Sequence, residues 1–370
     1  MIGPQQIAPI IDRYDPRDVS IGTIGSHSAL EVMDGAKDEG MKTICICQKG
    51  RDLPYRRFKR LADEIIILDK FSDILNRENQ EKLRERNCIM VAHRAFTAYL
   101  GYDNIENNFK VPLFGNRSLL RAEERGVPRN QYYLIEKAGL RHPKIYRKPS
   151  DIAGPAMVKV QEAKRKLERA FFIVSSYEDY KRKAKQRIER GIVSKQDLEN
   201  AVIEEYVLGT YFNLNFFHSP LTGETEFLGI ERRLQTNLHD FVSIPARQQM
   251  EITTDNGAFQ TQNIEVGHTP ASIRESLLEK VFEMGDKFSV AARKEYPPGI
   301  IGPISLQSIV TTDLDFVVYD VSLRVPGNPI MATTSPYTKY YYGHTMGVGR
   351  RIAMEIKDAG EQRKLRDIVT

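Results

Sequence analysis

Tryptophan is absent from this 370-residue chain. Beside the abundance of Lys, Arg and Glu, that fits a heat-adapted protein. Cysteine is scarce: Cys45, Cys47 and Cys88 are the only three. An odd, low count argues against a disulfide framework. Cys45 and Cys47 flank Ile46, so on a strand their thiols share one face, and the pattern suits buried thiols better than a metal site. No stretch approaches the ~18 apolar residues that span a bilayer. Residues 1–15 lack a basic start and a long apolar core, so no secretory leader is expected and the expected compartment is the cytoplasm. A strong charge of one sign is missing too. Lys+Arg 54 against Asp+Glu 49 leaves a formal net charge of +5, which suits anionic small molecules and does not demand nucleic acid. No aromatic–basic motif of the RNA-reading kind is present.

One absence is local. Residues 155–176 read as two apolar strands, 156–160 and 171–175, joined by a loop. An enzyme that grips a nucleoside triphosphate between two strands usually builds such a loop from glycines, which let backbone N–H groups face phosphate oxygens. Residues 161–172 contain no glycine and carry Lys164, Arg165, Lys166 and Arg169 instead. Lys159 ends the first strand, where its compact charge could meet a phosphate. Two accounts stand. Either the basic side chains replace the backbone donors, or the segment, rich in helix formers, has become a helix or an extended hairpin tip and grips nucleotide less.

What is present begins with alternation. Residues 1–125 give strands at 19–25, 41–48, 61–68, 87–92 and 110–114, with helical spacing from Ser26 or Ser28 as cap to Gly40 as stop. This predicts a parallel sheet with helices on both faces and a ligand at the C-terminal strand ends. His27, between Ser26 and Ser28, lies there. A helix N-terminus and an imidazole favour a phosphate or carboxylate; a capped helix with a surface His is the plain alternative. Further on, residues 117–141 read as helical, 177–190 and 195–200 as charged helices, and 272–295 as a long amphipathic helix. Strands are expected at 202–207, 211–217, 227–232, 305–310 and 316–321, and a closing helix at 347–357. The result is an α/β chain of three parts, 1–125, 126–207 and 208–370, with a nucleotide cleft between the last two.

Eight segments carry a resemblance: GSHSAL (25–30), KGRDLPYRRF (49–58), VPLFGNRSLLR (111–121), EEYVLGTYF (204–212), SIRESLLEKVFEMGDK (272–287), PPGIIGPISLQS (297–308), DVSLRV (320–325) and GRRIAMEI (349–356). Through them nearly the whole chain resembles the archaeal PurP family, formate-dependent ligases of purine synthesis. Members join formate to the ribotide AICAR with ATP and yield FAICAR. The resemblance implies an ATP-grasp fold preceded by a Rossmann-like parallel α/β domain. It implies ATP and Mg²⁺ (or Mn²⁺) as cofactors, small-molecule substrates and a homo-oligomer, with neither nucleic acid nor membrane as partner.

The resemblance also distributes roles. His27, with Ser26 and Ser28, would meet the ribotide. Ala95 stands where a Ser is expected, next to Arg94, which could hold a phosphate bidentately. His268 stands where an Asn is expected. Lys159, Glu204, Glu205, Tyr206, Val207 and Gln235 would form the ATP site, Gln235 in place of a Glu. Gln307 and Asp320 would hold the metal, Asp320 being shorter than the usual Glu. Arg324 would stabilise the transferred phosphoryl group or an acyl phosphate. From the residues alone, Asp320 could instead be a strand carboxylate paired with Arg324. The turn after Arg324 is reduced to PGNP, residues 326–329. The departures cluster in the site while the scaffold segments match, so a working ligase and a relative with changed or lost chemistry both stay open.

Overall fold

The computed structural model describes residues 1–160, 171–235, 245–248 and 265–370. The first sheet contains β1 (Ser20–Ile24), β2 (Lys42–Gln48), β3 (Glu64–Leu68), β4 (Cys88–Val91) and β5 (Leu113–Phe114), in the order β3-β2-β1-β4-β5 and parallel throughout. Its central strand β1 is buried along its whole length, as a strand covered on both faces must be. Cys45, Cys47 and Cys88 are free and buried within these strands. The strand order reverses between β1 and β4, so a crevice opens beyond their C-terminal ends.

The second sheet is small and antiparallel: β6 (Ile145–Tyr146), β7 (Ala156–Lys159), β8 (Phe171–Val174) and β9 (Val202–Glu205), ordered β6-β9-β7-β8. Val158, Phe172, Val174 and Ile203 form its core. The loop between β7 and β8, residues 161–170, lies outside the described residues.

The third sheet holds β10 (Thr210–His218), β11 (Thr225–Gln235), β12 (Glu265–Ala271), β13 (Gly302–Val310) and β14 (Phe316–Ser322), antiparallel in the order β12-β11-β10-β13-β14. Alternation gives it two faces. Leu214, Phe216, Leu306, Val318 and Val321 pack against Val281 and Phe288 of the helix Leu278–Glu295 and against Leu134 and Ile135 of the helix Gln131–Lys137. The opposite face presents polar residues.

Two helical expectations are corrected. Within 117–141 only the 3-10 turn Leu120–Glu123 and the helix Gln131–Lys137 form, because Gly126 and Pro128 interrupt the run. The amphipathic helix begins at Leu278, not at residue 272; Arg274 is extended, with ψ 138°, and β12 precedes it.

The last part closes back on the first. The helix Val348–Glu361 packs on the helix Ala29–Asp38 through glycines at the crossing: a Cβ on Gly35 would stand 1.9 Å from Arg350 N, and one on Gly349 2.1 Å from Glu31 O. Thr370 exchanges backbone hydrogen bonds with Leu113 at 3.1 and 2.9 Å. The crevice of the first sheet and the polar face of the third are thereby held in one frame. No described helix is long and apolar enough to cross a membrane.

Candidate active site

The crevice end is built from two turns. After β1, His27 adopts a left-handed φ of 47°. Its Nδ1 lies 2.6 Å from Ser28 Oγ, which donates to Pro326 O at 2.8 Å. After β4, Val325 N donates to Ala92 O at 3.1 Å, so the PGNP turn sits over both crevice strands. His93 caps the helix Arg94–Leu100: its Nδ1 accepts from Ala95 N at 3.2 Å, which leaves Nε2 to donate to Ile24 O at 2.9 Å. Burial pushes His93 down to about 4, so it stays neutral. It stacks on His27 with ring centroids 5.6 Å apart. Desolvation, with Arg324 and His93 close by, also holds His27 below the usual imidazole range.

His268 comes to the same corner. A Cβ on Gly327 would stand 3.0 Å from His27 Cε1 and 3.6 Å from His268 Nε2. His268 lies between Glu231 and Glu265, each 2.9 Å away. Desolvation opposes its charge, but these two hydrogen bonds raise it to about 9. An imidazolium, the open side of a glycine and a helix start thus line one end of the cleft, a chemistry suited to an anion. Ser28 and Ala95 are buried there, and Ser26 and Arg94 are half-buried.

The polar face of the third sheet forms the floor. Register places Glu231, Asn213, Gln307 and Asp320 side by side across β11, β10, β13 and β14. Asn213 Nδ2 donates to Glu231 Oε1 at 2.5 Å. Gln307 Nε2 donates to Ser322 Oγ at 3.3 Å, while its Oε1 is buried with no hydrogen-bond partner among the described residues. Asp320 accepts from Arg125 at 2.8 Å. Its pairing with Arg324, the plain alternative above, does not form. Arg324 lies beyond the end of β14, two residues after Ser322. Arg324 instead faces Glu123 at 3.4 Å. Desolvation opposes ionisation of Asp320, yet Arg125, Lys159 and Arg233 hold it below the usual carboxylate range.

The second sheet supplies the opposite wall. Lys159 ends β7 buried and pairs with Glu204 of β9, whose carboxylate also accepts from Tyr132 Oη. Desolvation lowers Lys159 even with Glu204 alongside. Alternation turns Glu205 the other way, where its Oε2 accepts from Lys144 N at 3.2 Å. Tyr206 N donates to Pro155 O at 2.9 Å, and Val207 packs with Ile309 and Val317. The side chain of Gln235 and the glycine-free loop lie outside the described residues. Among the described residues no group of three or more His, Cys, Asp or Glu could hold a metal ion. The orphaned Gln307 oxygen in register with the Asp320 carboxylate nonetheless offers two hard oxygen donors, which is what Mg²⁺ takes when phosphates supply the rest.

Sequence reasoning passed over Glu231, Arg233, Arg125 and Glu123. Stepping back from Gln235 with a period of two reaches Arg233 and Glu231. The other two sit in an irregular linker that carries no such signal.

The comparisons with known proteins agree with this architecture. The families described as "Domain of unknown function (DUF1297)" and "Protein of unknown function (DUF1246)" match residues 179–370 and 21–146. The chain is 47% identical over 362 residues to the 5-formaminoimidazole-4-carboxamide-1-(beta)-D-ribofuranosyl 5'-monophosphate synthetase of Methanocaldococcus jannaschii, with 97% of each chain covered. It is 42% identical to the synthetase of the same name from Methanopyrus kandleri, with 100% of each covered. The chain belongs to this synthetase family. An IMP biosynthesis protein PurP from Thermococcus kodakaraensis superposes with a TM-score of 0.71 at 26% identity, covering 95% of this chain and 100% of that one. The ADP complex of purK, an N5-carboxyaminoimidazole ribonucleotide synthetase, shares the fold, with a TM-score of 0.59 at 15% identity over 88% of this chain and 77% of that one. As a member of the synthetase family, the chain is an ATP-grasp enzyme that forms a carbon–nitrogen bond, with a Rossmann-like sheet ahead of the ATP-grasp part.

Proposed function

We propose that this enzyme formylates AICAR with formate and ATP, yielding FAICAR on the way to IMP. The observation that carries the reading is the floor row Glu231–Asn213–Gln307–Asp320 facing Lys159, with the His27–Gly327–His268 corner at one end. A formate oxygen attacks the γ-phosphorus of ATP and ADP leaves. The AICAR amine then attacks the carbonyl carbon of the resulting formyl phosphate; phosphate leaves and the amine gives up a proton. Lys159 and Arg324 balance charge on the transferred group. Asp320 and Gln307 would hold Mg²⁺, which neutralises phosphate charge when bound. Residues 204–207 receive the adenosine, their backbone meeting the base and a carboxylate the ribose, with Gln235 in the same region. His27, Ser26, Ser28, Arg94 and His268 bind the ribotide, and Ala95 lines the same corner without a hydroxyl. We take the enzyme to be a cytoplasmic homo-oligomer.

The glycine-free stretch 161–172 favours a second reading, a family member that keeps the ribotide and has lost ATP. Calorimetry with ATP and Mg²⁺, with and without AICAR, separates the two, followed by an assay of FAICAR formation. Saturable ATP binding strengthened by AICAR, with formate-dependent FAICAR that EDTA abolishes, is the expected result. AICAR binding without ATP binding would establish the second reading.

A further inference from the structure

β14 is an edge strand of the third sheet, and an edge strand leaves a row of N–H groups to be satisfied. The linker before it in sequence does this. Val318 N donates to Arg141 O at 2.8 Å, Val321 N to Gln131 Oε1 at 2.6 Å and Leu323 N to Glu123 Oε1 at 2.6 Å. The linker is thus strapped along β14, which carries Asp320, and the segment just beyond it, which carries Arg324, and it brings Arg125 into the cleft. The Arg125 guanidinium gives one N–H to Asp320 Oδ1 at 2.8 Å, while its Nε is buried with no hydrogen-bond partner among the described residues.

Lys159 and Arg233 bear on the same carboxylate, so three cations gather about Asp320. Lys159 is already engaged by Glu204, and Arg233 by Glu265 at 2.9 Å. Arg125 rests on Asp320, one of the two residues proposed above to take the metal. A guanidinium is a planar fork of donors matched to phosphate oxygens. A divalent cation at Asp320 would compete with Arg125 for the same oxygens, and a triphosphate would give Arg125 a new acceptor.

We propose that Arg125 is a phosphate-binding residue of the cleft, holding Asp320 in the empty enzyme and turning to the terminal phosphate when a nucleoside triphosphate enters, which releases Asp320 oxygen to the divalent cation. The inference rests on the ATP-dependent reading. Arg125 then acts as a placeholder that keeps the carboxylate ionised and correctly aimed until the nucleotide replaces it.

Calorimetry with AMP-PNP, ADP and AMP, with and without Mg²⁺, tests this on the wild type, Arg125→Ala, Arg125→Lys and Asp320→Asn, with AICAR binding as the control for an intact cleft. Arg125→Ala is expected to weaken AMP-PNP roughly 10- to 100-fold while leaving AMP unchanged, and Arg125→Lys to recover part of the loss. Asp320→Asn is expected to bind AMP-PNP without Mg²⁺ more tightly than the wild type, because Arg125 is no longer held by a full charge. Unchanged AMP-PNP binding in Arg125→Ala, or an equal loss for all three nucleotides, overturns the proposal. A wild type that binds AICAR but none of the nucleotides overturns the ATP-dependent reading itself, and with it the role of Arg125.

Discussion

Arg351 and Arg125 each carry a largely buried guanidinium into a cluster of acids, and the two clusters end differently. Arg351 gives Nε and Nη2 to Glu226 at 2.8 and 2.9 Å and Nη1 to Glu355 at 2.9 Å, with its guanidinium 4.2 Å from the ring centroid of Phe217. Ser219 and Tyr342 complete the two carboxylates at 2.7 and 2.6 Å. None of the buried side-chain atoms in that cluster lacks a hydrogen-bond partner. In the cleft, by contrast, Arg125 Nε and Gln307 Oε1 both do, among the described residues. Each such atom costs about 1–3 kcal/mol. One network is closed and fastens the last helix to the third sheet. The other is charged, buried and unfinished, and only a ligand with its own donors and acceptors completes it.

The largest effect is expected in the closed network. Arg351→Ala leaves Glu226 and Glu355 buried without their cation, and should lower unfolding free energy by about 3–5 kcal/mol, read from urea transitions. Affinities for ATP and AICAR should hold wherever the variant is folded. Next comes Asp320→Asn. It preserves shape and removes one charge from the open network, so stability should change by less than about 1 kcal/mol while FAICAR formation falls roughly 10²- to 10³-fold. Equal destabilisation by the two variants would erase the distinction between the networks.

A pH series sharpens it further. Hydrogen bonds to Glu231 and Glu265 raise His268 to about 9 in the folded chain, against an ordinary value of 6.5. A raised pKa means that the stabilisation is complete below pH 6.5 and is lost as the pH climbs through 9. The shift is worth about 3 kcal/mol. Unfolding free energies of the wild type and His268→Gln should therefore converge by about that amount between these limits. Arg351 stays charged across the window and imposes no such slope. Parallel curves would remove His268 from the charged corner.

Local pattern made much of this legible. Strand–helix alternation located the crevice turn at His27, the resemblance added the turn at Arg94 and Ala95, and the paired apolar runs around residues 161–170 located Lys159. The misses have particular causes. β11 was read as ending near Arg232, three residues short of Gln235, which hid Arg233 as a strand residue two positions on from Glu231. β12 was not anticipated, so neither partner of His268 was visible. The plain alternative paired Asp320 with Arg324, its neighbour in sequence, whereas its partner in the fold is Arg125. Arg125 meets Asp320 across 195 residues, and Glu123 meets Leu323 across 200. Such pairings arise from how sheets and linkers are laid together, which no local period encodes.

The smallest expected effect lies at Ala95, where the two kinds of region meet. Its N–H donates to His93 Nδ1 at 3.2 Å and the residue is 7% exposed, so it is built into the scaffold as Arg351 is. It also begins the helix after β4, at the crevice end where His27 and the PGNP turn converge. Ala95→Ser adds one hydroxyl at that point with little change in volume. If the ribotide lies against this helix start, the hydroxyl supplies one more hydrogen bond, and AICAR binding should tighten by about 0.5–1.5 kcal/mol, with ATP affinity and stability unchanged. An unchanged or weaker AICAR affinity would assign the end of β4 to the scaffold. Ribotide recognition would then rest on the turn after β1 together with His268, and the open network would end at Gly327.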